Sequence, residues 1–185
     1  MDVIDTELPG VKIFVPASFS DPRGAFSETY SAHRYADHVA GLTFVQDNES
    51  RSARPFTIRG LHFQAPPCAQ AKLIRVVRGR VFDVAVDIRK GSPTYGHWVS
   101  EELTADNRKQ LFAPAGFLHG FMTLEPDTIV AYKVTDFYNA ALDGAVHWAS
   151  STLGIPWPAS PKDVVASEKD AAAVDFSAFE TPFTD

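Results

Sequence analysis

Apolar and polar residues alternate with period two through the middle of the chain. Around Arg78-Gly79, the runs 72–77 and 80–88 both alternate, which predicts a β-hairpin with one buried face. Shorter runs predict strands at 11–15, 44–48, 98–103, 110–113 and 129–138. Turn signals punctuate them at Asp21-Pro22-Arg23-Gly24, Pro66-Pro67, Gly91-Ser92-Pro93 and Pro114-Ala115-Gly116. Helical pattern is scarce: one short helix is expected over 31–40, ended by Gly41, and another from Ser167. Many short strands with frequent Gly and Pro turns predict an all-β sandwich, jelly roll or barrel with a few short helices. One domain is expected over all 185 residues, with the last dozen loosely held.

Composition agrees with that reading. At 45% hydrophobic and 12% aromatic, the chain can bury a core without disulfides or a structural metal, and 22% charged residues exclude a disordered chain. No run approaches the ~18 apolar residues of a membrane-spanning helix. The start, Met-Asp-Val-Ile-Asp, lacks the basic and apolar run of a signal peptide, and Cys68 has no second cysteine to bond. A cytoplasmic protein without a membrane partner is the expectation.

Charge is distributed unevenly. The net charge is −6, yet residues 51–90 hold nine basic side chains against two acidic ones. That balance argues against nucleic acid as a partner and suits a small anionic ligand. The plainer alternative is that these arginines line the wet face of strands.

Three groups could carry chemistry. Arg59-Gly60-Leu61-His62-Phe63-Gln64 reads as one strand, with Arg59 and Leu61 on one face and Gly60, His62 and Gln64 on the other. A histidine on a barrel wall can act as a general base or can simply be a hydrogen-bonded core residue. Lys72, a hairpin away, adds a charge that is costly to bury without a partner or a purpose. The second group is Pro114-Ala115-Gly116-Phe117-Leu118-His119. The third is Tyr132 and Tyr138, whose even spacing puts both on one side of a strand. Tyrosines there can donate a proton to a carbanion, stack on a planar ring, or merely pack.

Pro-x-Gly-x-x-His resembles the second half of the cupin pattern, so the fold expected is a cupin-type jelly-roll barrel. In metal-binding cupins that His joins a His-x-His pair and a Glu. Here the pair is His62-Phe63-Gln64 and no Glu occurs between Arg51 and Ser100, a poor donor set for zinc or iron. No metal or other cofactor is therefore expected.

The chain further resembles the dTDP-4-dehydrorhamnose 3,5-epimerase family. The resemblance rests on eight segments in register: 21–24, 45–48, 59–64, 72–76, 82–89, 92–96, 114–121 and Tyr132-Lys133. It implies inversion of carbons 3 and 5 of dTDP-4-keto-6-deoxy-D-glucose, with His62 as base, Tyr132 as acid and Lys72 stabilising the enolate. It implies Asp170 as partner of the catalytic histidine, although Ser167-Glu168-Lys169-Asp170 also reads as a helix-capping box. Arg59 and His119 match diphosphate contacts; Arg23, Glu28 and the run Gln46-Asp47-Asn48 match nucleotide contacts. Tyr138 matches an aromatic that stacks on thymine. Arg23 and Glu28 would cross from a neighbouring subunit, which implies a homodimer.

Three positions depart from the family pattern. Asp143 stands for a usual Glu, Ala149-Ser150-Ser151 for Asn-Asp-Pro, and Cys68 for a common His. The alternatives carried forward are an epimerase inverting one carbon only, a non-catalytic nucleotide-sugar-binding cupin, and a metal-dependent oxygenase.

Overall fold

The computed structural model describes residues 1–39 and 41–184. The strands are, in chain order, β1 (Asp2–Asp5), β2 (Lys12–Val15), β3 (Ser18–Asp21), β4 (Gly24–Ser27), β5 (Gln46–Ser52) and β6 (Ile58–Gln64). They continue with β7 (Lys72–Arg78), β8 (Arg80–Asp87), β9 (Trp98–Thr104), β10 (Gln110–Ala113), β11 (Phe117–Thr123), β12 (Thr128–Val134) and β13 (Asp143–Ala145). One sheet has the order β1-β2-β10-β7-β12-β5 and the other β13-β6-β11-β8-β9, while β3 and β4 form a separate hairpin. Ile13, Ile74, Leu111 and Val130 from the first sheet meet Val81, Ala85, Leu103 and Phe117 from the second in one core. The result is a jelly-roll barrel of the cupin type. Each such buried side chain contributes roughly 1.5–3 kcal/mol.

The strand β8 shows why the second sheet needs an outer cover. Val81 and Ala85 face the barrel core, but Val84, Val86 and the following Ile88 belong to a second cluster outside it. Leu153, Ile155 and Phe176 close over that outer face, with Phe179 and Phe183 packed beside them. The end of the chain is thus a strap and not the loose tail expected from sequence. Phe63 packs edge-on against both Phe179 and Phe183, and the Lys90 N–H donates to the Phe183 carbonyl.

The expected hairpin at Arg78-Gly79 does not form. Strands β7 and β8 lie in different sheets: β7 pairs with β10 and β12, β8 with β9 and β11. Gly79 takes φ +82 and a Cβ there would strike Thr128, so the chain turns a corner between the sheets. Period-two alternation fixes which face a residue occupies; it says nothing of which strand lies alongside.

Other boundaries moved as well. The strand expected at 129–138 ends at Val134, and the one expected at 44–48 runs from Gln46 to Ser52. The helix expected over 31–40 is a single turn, α1 (Ala32–Tyr35), and Ala40 lies outside the described residues. Near Ser167 the second helix, α2 (Glu168–Ala171), is equally short, with the Ser167 hydroxyl accepting from the Asp170 N–H at 3.1 Å. No helix among the described residues is long and apolar enough to cross a membrane.

Candidate active site

The barrel holds a cavity of about 360 Å³ lined by Ser50, Arg59, His62, Lys72, His119, Phe121, Tyr132, Lys169 and Asp170, among others. A neighbouring cavity of about 190 Å³ shares His62, Lys72, Tyr132 and Lys169 and adds Gln46, Asn48, Gln64, Tyr138 and Asp143. The residues singled out from sequence therefore largely converge.

Strand β6 delivers two of them through an irregularity. Leu61 is fully buried in the outer cluster, whereas Arg59 and His62 line the same cavity, so Arg59 and Leu61 do not share a face as alternation predicts. The pairing of β6 with β11 slips between His119 and Phe121, which resets the alternation by one residue. Gly60 makes this possible: its φ is +134, and a Cβ would lie 2.5 Å from the Gly120 Cα.

His62 Nε2 lies 2.5 Å from Asp170 Oδ1, and the Asp170 side chain is only 4% exposed. A carboxylate can only accept, so the shared proton sits on Nε2 and Nδ1 is left as the basic nitrogen. Burial pushes the Asp170 carboxyl up, but bonds from His62, the Ser167 hydroxyl and the Gly60 backbone outweigh it and hold Asp170 below the usual carboxylate range. Asp170 thus satisfies both readings of its sequence context. Its N–H is capped by Ser167 while its carboxylate reaches the histidine.

Lys72 enters from the opposite sheet at the start of β7. Its ammonium donates one bond, at 3.3 Å to the His62 carbonyl. Burial pushes its pKa down to about 8, against the pull of Asp143 and Asp83, while Lys169 pushes the same way as burial. The hydroxyl of Tyr132, on β12, makes no hydrogen bond among the described residues. Burial raises its pKa, with Asp143 and Tyr138 adding to the rise and Arg59 opposing it, so the group is a phenol at neutral pH.

His119 pairs across the ladder with His62, and its Nε2 lies 3.0 Å from both carboxylate oxygens of Asp83. The Asp83 side chain is fully buried. Sequence reasoning missed Asp83, although a readable signal existed: it occupies the inward phase of β8, between Val81 and Ala85.

Other expectations fare unevenly. Gln46 and Asn48 line the smaller cavity, but Asp47 points away from it and pairs with Lys133 at 2.7 Å, as strand alternation requires. Tyr138 lies beyond the end of β12, so it shares no strand with Tyr132. Its hydroxyl nonetheless donates to Asp143 at 3.0 Å at the cavity edge, and Lys169 pairs with the same carboxylate. Arg59 donates to the Ser52 hydroxyl at 3.2 Å. Arg23 and Glu28 are remote from the cavity in this chain: Arg23 is tied to Asp21 and Glu28 to Arg34, both at the surface.

A cupin metal would need Gln64 beside His62 and His119 as a donor. Gln64 spends its amide nitrogen on the carbonyls of Cys68 and Phe137, at 2.5 and 2.9 Å, and its oxygen accepts from the Asn139 N–H. With Gln64 fully committed and no carboxylate beside the two histidines' free ring nitrogens, these residues do not fit a metal. Among the described residues no group of three or more His, Cys, Asp or Glu side chains is placed to hold one.

Fold and site together define a cupin-type barrel whose interior brings together a histidine–aspartate couple, a lysine and a tyrosine. The family model described as dTDP-4-dehydrorhamnose 3,5-epimerase matches residues 5–178, and the chain belongs to that family. It is 52% identical over 162 residues to a dTDP-4-dehydrorhamnose 3,5-epimerase of Sinorhizobium fredii, covering 88% of this chain and 83% of that protein. The crystal structure of a dTDP-6-deoxy-D-glucose-3,5-epimerase from Legionella pneumophila, in complex with dTDP-4-keto-L-rhamnose, superposes with a TM-score of 0.92. The two are 42% identical, over 97% of this chain and 94% of that one. A dTDP-4-dehydrorhamnose 3-epimerase of Streptomyces niveus is more distant, at 36% identity over 89% of this chain and 84% of that protein.

Proposed function

We propose that the protein is a dTDP-4-dehydrorhamnose 3,5-epimerase, inverting carbons 3 and 5 of dTDP-4-keto-6-deoxy-D-glucose. The observation that carries this is the convergence of His62, oriented by Asp170, with the unbonded phenol of Tyr132 and the ammonium of Lys72 on one cavity.

Both reacting carbons flank the carbon-4 ketone, so their protons become acidic once the enolate oxygen is stabilised. His62 Nδ1 takes the proton from one face while Asp170 steadies the imidazolium that forms. Lys72 has two donors left over for the enolate oxygen, where charge develops only as the proton leaves. Tyr132 then returns a proton from the opposite face, and the stereocentre inverts. The phenolate regains a proton from solvent and the imidazolium surrenders one, so the cycle closes with no net change except configuration. The same groups serve the second carbon once the ring is re-seated.

The wall formed by Arg59 and His119 suits the diphosphate, and the smaller cavity with Gln46, Asn48, Tyr138 and Asp143 suits the nucleoside. Arg23 and Glu28 complete the nucleotide site in this reading only as contributions from a second copy, in a homodimer.

Deuterium wash-in tests the proposal. The purified protein is incubated with the 4-keto sugar nucleotide in heavy water and the label is located by NMR. Label at carbons 3 and 5 with inversion is the expected result. Label at one carbon makes the protein a mono-epimerase, and no label above a protein-free control leaves a nucleotide-sugar binder.

A further inference from the structure

Asp83 is a carboxyl group in the middle of a jelly roll, where burial pushes its pKa up against the opposing pull of His119 and Lys72. Its side chain has no exposed surface, and its β8 neighbours on the same face, Val81 and Ala85, are core residues. Burying a carboxylate in such surroundings costs several kcal/mol unless cations answer it. Two are at hand: His119, whose Nε2 spans both oxygens at 3.0 Å, and Lys72, on the facing sheet of the same cavity.

The geometry has a chemical consequence for His119. Its Nε2–H is committed to the carboxylate, so the ring can donate to an anionic ligand only from Nδ1. That requires the imidazolium, because the neutral ring carries one proton. Lys72 meets the related problem that burial pulls its proton off, and Asp83 opposes this from the far side of the barrel. The catalytic reading uses both cations and leaves the anion behind them unassigned.

We infer that Asp83 is a positioning residue: its carboxylate, bonded to His119 Nε2, fixes the ring so that Nδ1 faces the substrate, and it is a counter-charge to the Lys72 ammonium on the facing sheet. This rests on the proposed epimerase reading for its purpose, but not for its test. Lys72 is faced by Arg59 and His62 from β6, His119 from β11, Tyr132 from β12, Asp143 from β13, and Lys169 and Asp170 from α2, besides Asp83 from β8. Of these, Asp143 also favours the ammonium and Lys169 disfavours it. Asp143 is already shared with Lys169 and Tyr138 and touches neither nitrogen of His119.

The test is NMR titration of the Lys72 side chain, assigned through Lys72→Arg, together with the tautomer of the His119 ring read from its nitrogen shifts, in wild type, Asp83→Asn and Asp143→Asn. In Asp83→Asn the Lys72 midpoint is expected to fall from about 8 to about 7. The His119 ring loses its single Nε2–H tautomer in the same variant. In Asp143→Asn only the Lys72 midpoint falls. For turnover, kcat/KM of Asp83→Asn falls about tenfold from pH 6 to pH 8 where that of the wild type falls about twofold, beyond any loss common to all pH values. A Lys72 midpoint unchanged in folded Asp83→Asn would mean that Asp83 is an uncharged acid, and the inference fails. Should that variant not fold, His119→Gln reads the same anion with opposite sign. The Lys72 midpoint then rises because the carboxylate faces the lysine alone, and an unmoved midpoint overturns the inference. The titrations need no substrate, so a protein inactive on the keto sugar still decides the point.

Discussion

His62 and His119 are partners across the same pair of strands, each held by an aspartate, yet the two couples sit in opposite settings. The His62 side chain keeps 30% of its surface, and Asp170 reaches it from a short helix near the end of the chain. The His119 side chain keeps 8%, and Asp83 reaches it from the barrel wall. The same chemical unit thus stands open to water in the first case and is nearly sealed, with only the cavity on one side, in the second. Proton exchange with solvent needs the former. A fixed electrostatic environment is best built from the latter, because a low dielectric strengthens every charge within it.

The largest effects should separate the two histidines. On the proposed mechanism His62→Ala lowers kcat by ~10²–10⁴ and leaves the affinity for dTDP unchanged. His119→Gln should instead act mainly on KM and on dTDP binding. Matching losses in kcat with unchanged KM, measured by steady-state kinetics and calorimetry, would erase the distinction between open and sealed couples.

Lys72→Met should remove turnover and at the same time stabilise the fold. The folded-state pKa of about 8 lies below the ordinary lysine value of 10.5, so the buried ammonium is a burden at pH 7. The unfolded chain keeps its proton between those values while the native chain has lost it. Wild-type stability therefore rises with pH from about 8 to about 10, and the methionine variant lacks that slope. Removing the burden is worth up to about 3 kcal/mol at pH 7, checked by denaturant unfolding at pH 7 and pH 9.5.

Asp170→Asn sharpens the first couple by itself. An amide nitrogen facing Nε2 favours the wrong tautomer, so kcat should fall at least tenfold with KM and melting temperature little changed. The smallest effect is the alkaline limb: kcat/KM should fall as pH rises through about 8 when Lys72 loses its proton, and Lys72→Arg should abolish that limb.

The comparison also marks where sequence reasoning reaches. His62, Lys72 and Tyr132 were legible because a titratable side chain on an inward strand phase is conspicuous. Asp83 obeyed the same rule and was passed over as part of the charge balance. Asp47 was grouped with Gln46 and Asn48 although alternation already assigned it to the other face. Two features were illegible in principle. The corner at Gly79 joins strands of different sheets, and periodicity carries no information on partners. The slip at Gly60 reverses a face through a backbone geometry that depends on Gly120, distant in sequence and adjacent in space.

Asp170 lies 108 positions after the histidine it orients, beyond the last strand of the barrel. In synthesis every strand of the jelly roll is made before that carboxylate, and the phenylalanine strap that follows it is made later still. A chain stalled or clipped after Ala145 carries the histidine, the lysine and the tyrosine without the group that aligns the first of them. On the proposed mechanism, proton abstraction thus depends on a segment made after every strand of the barrel that houses the base.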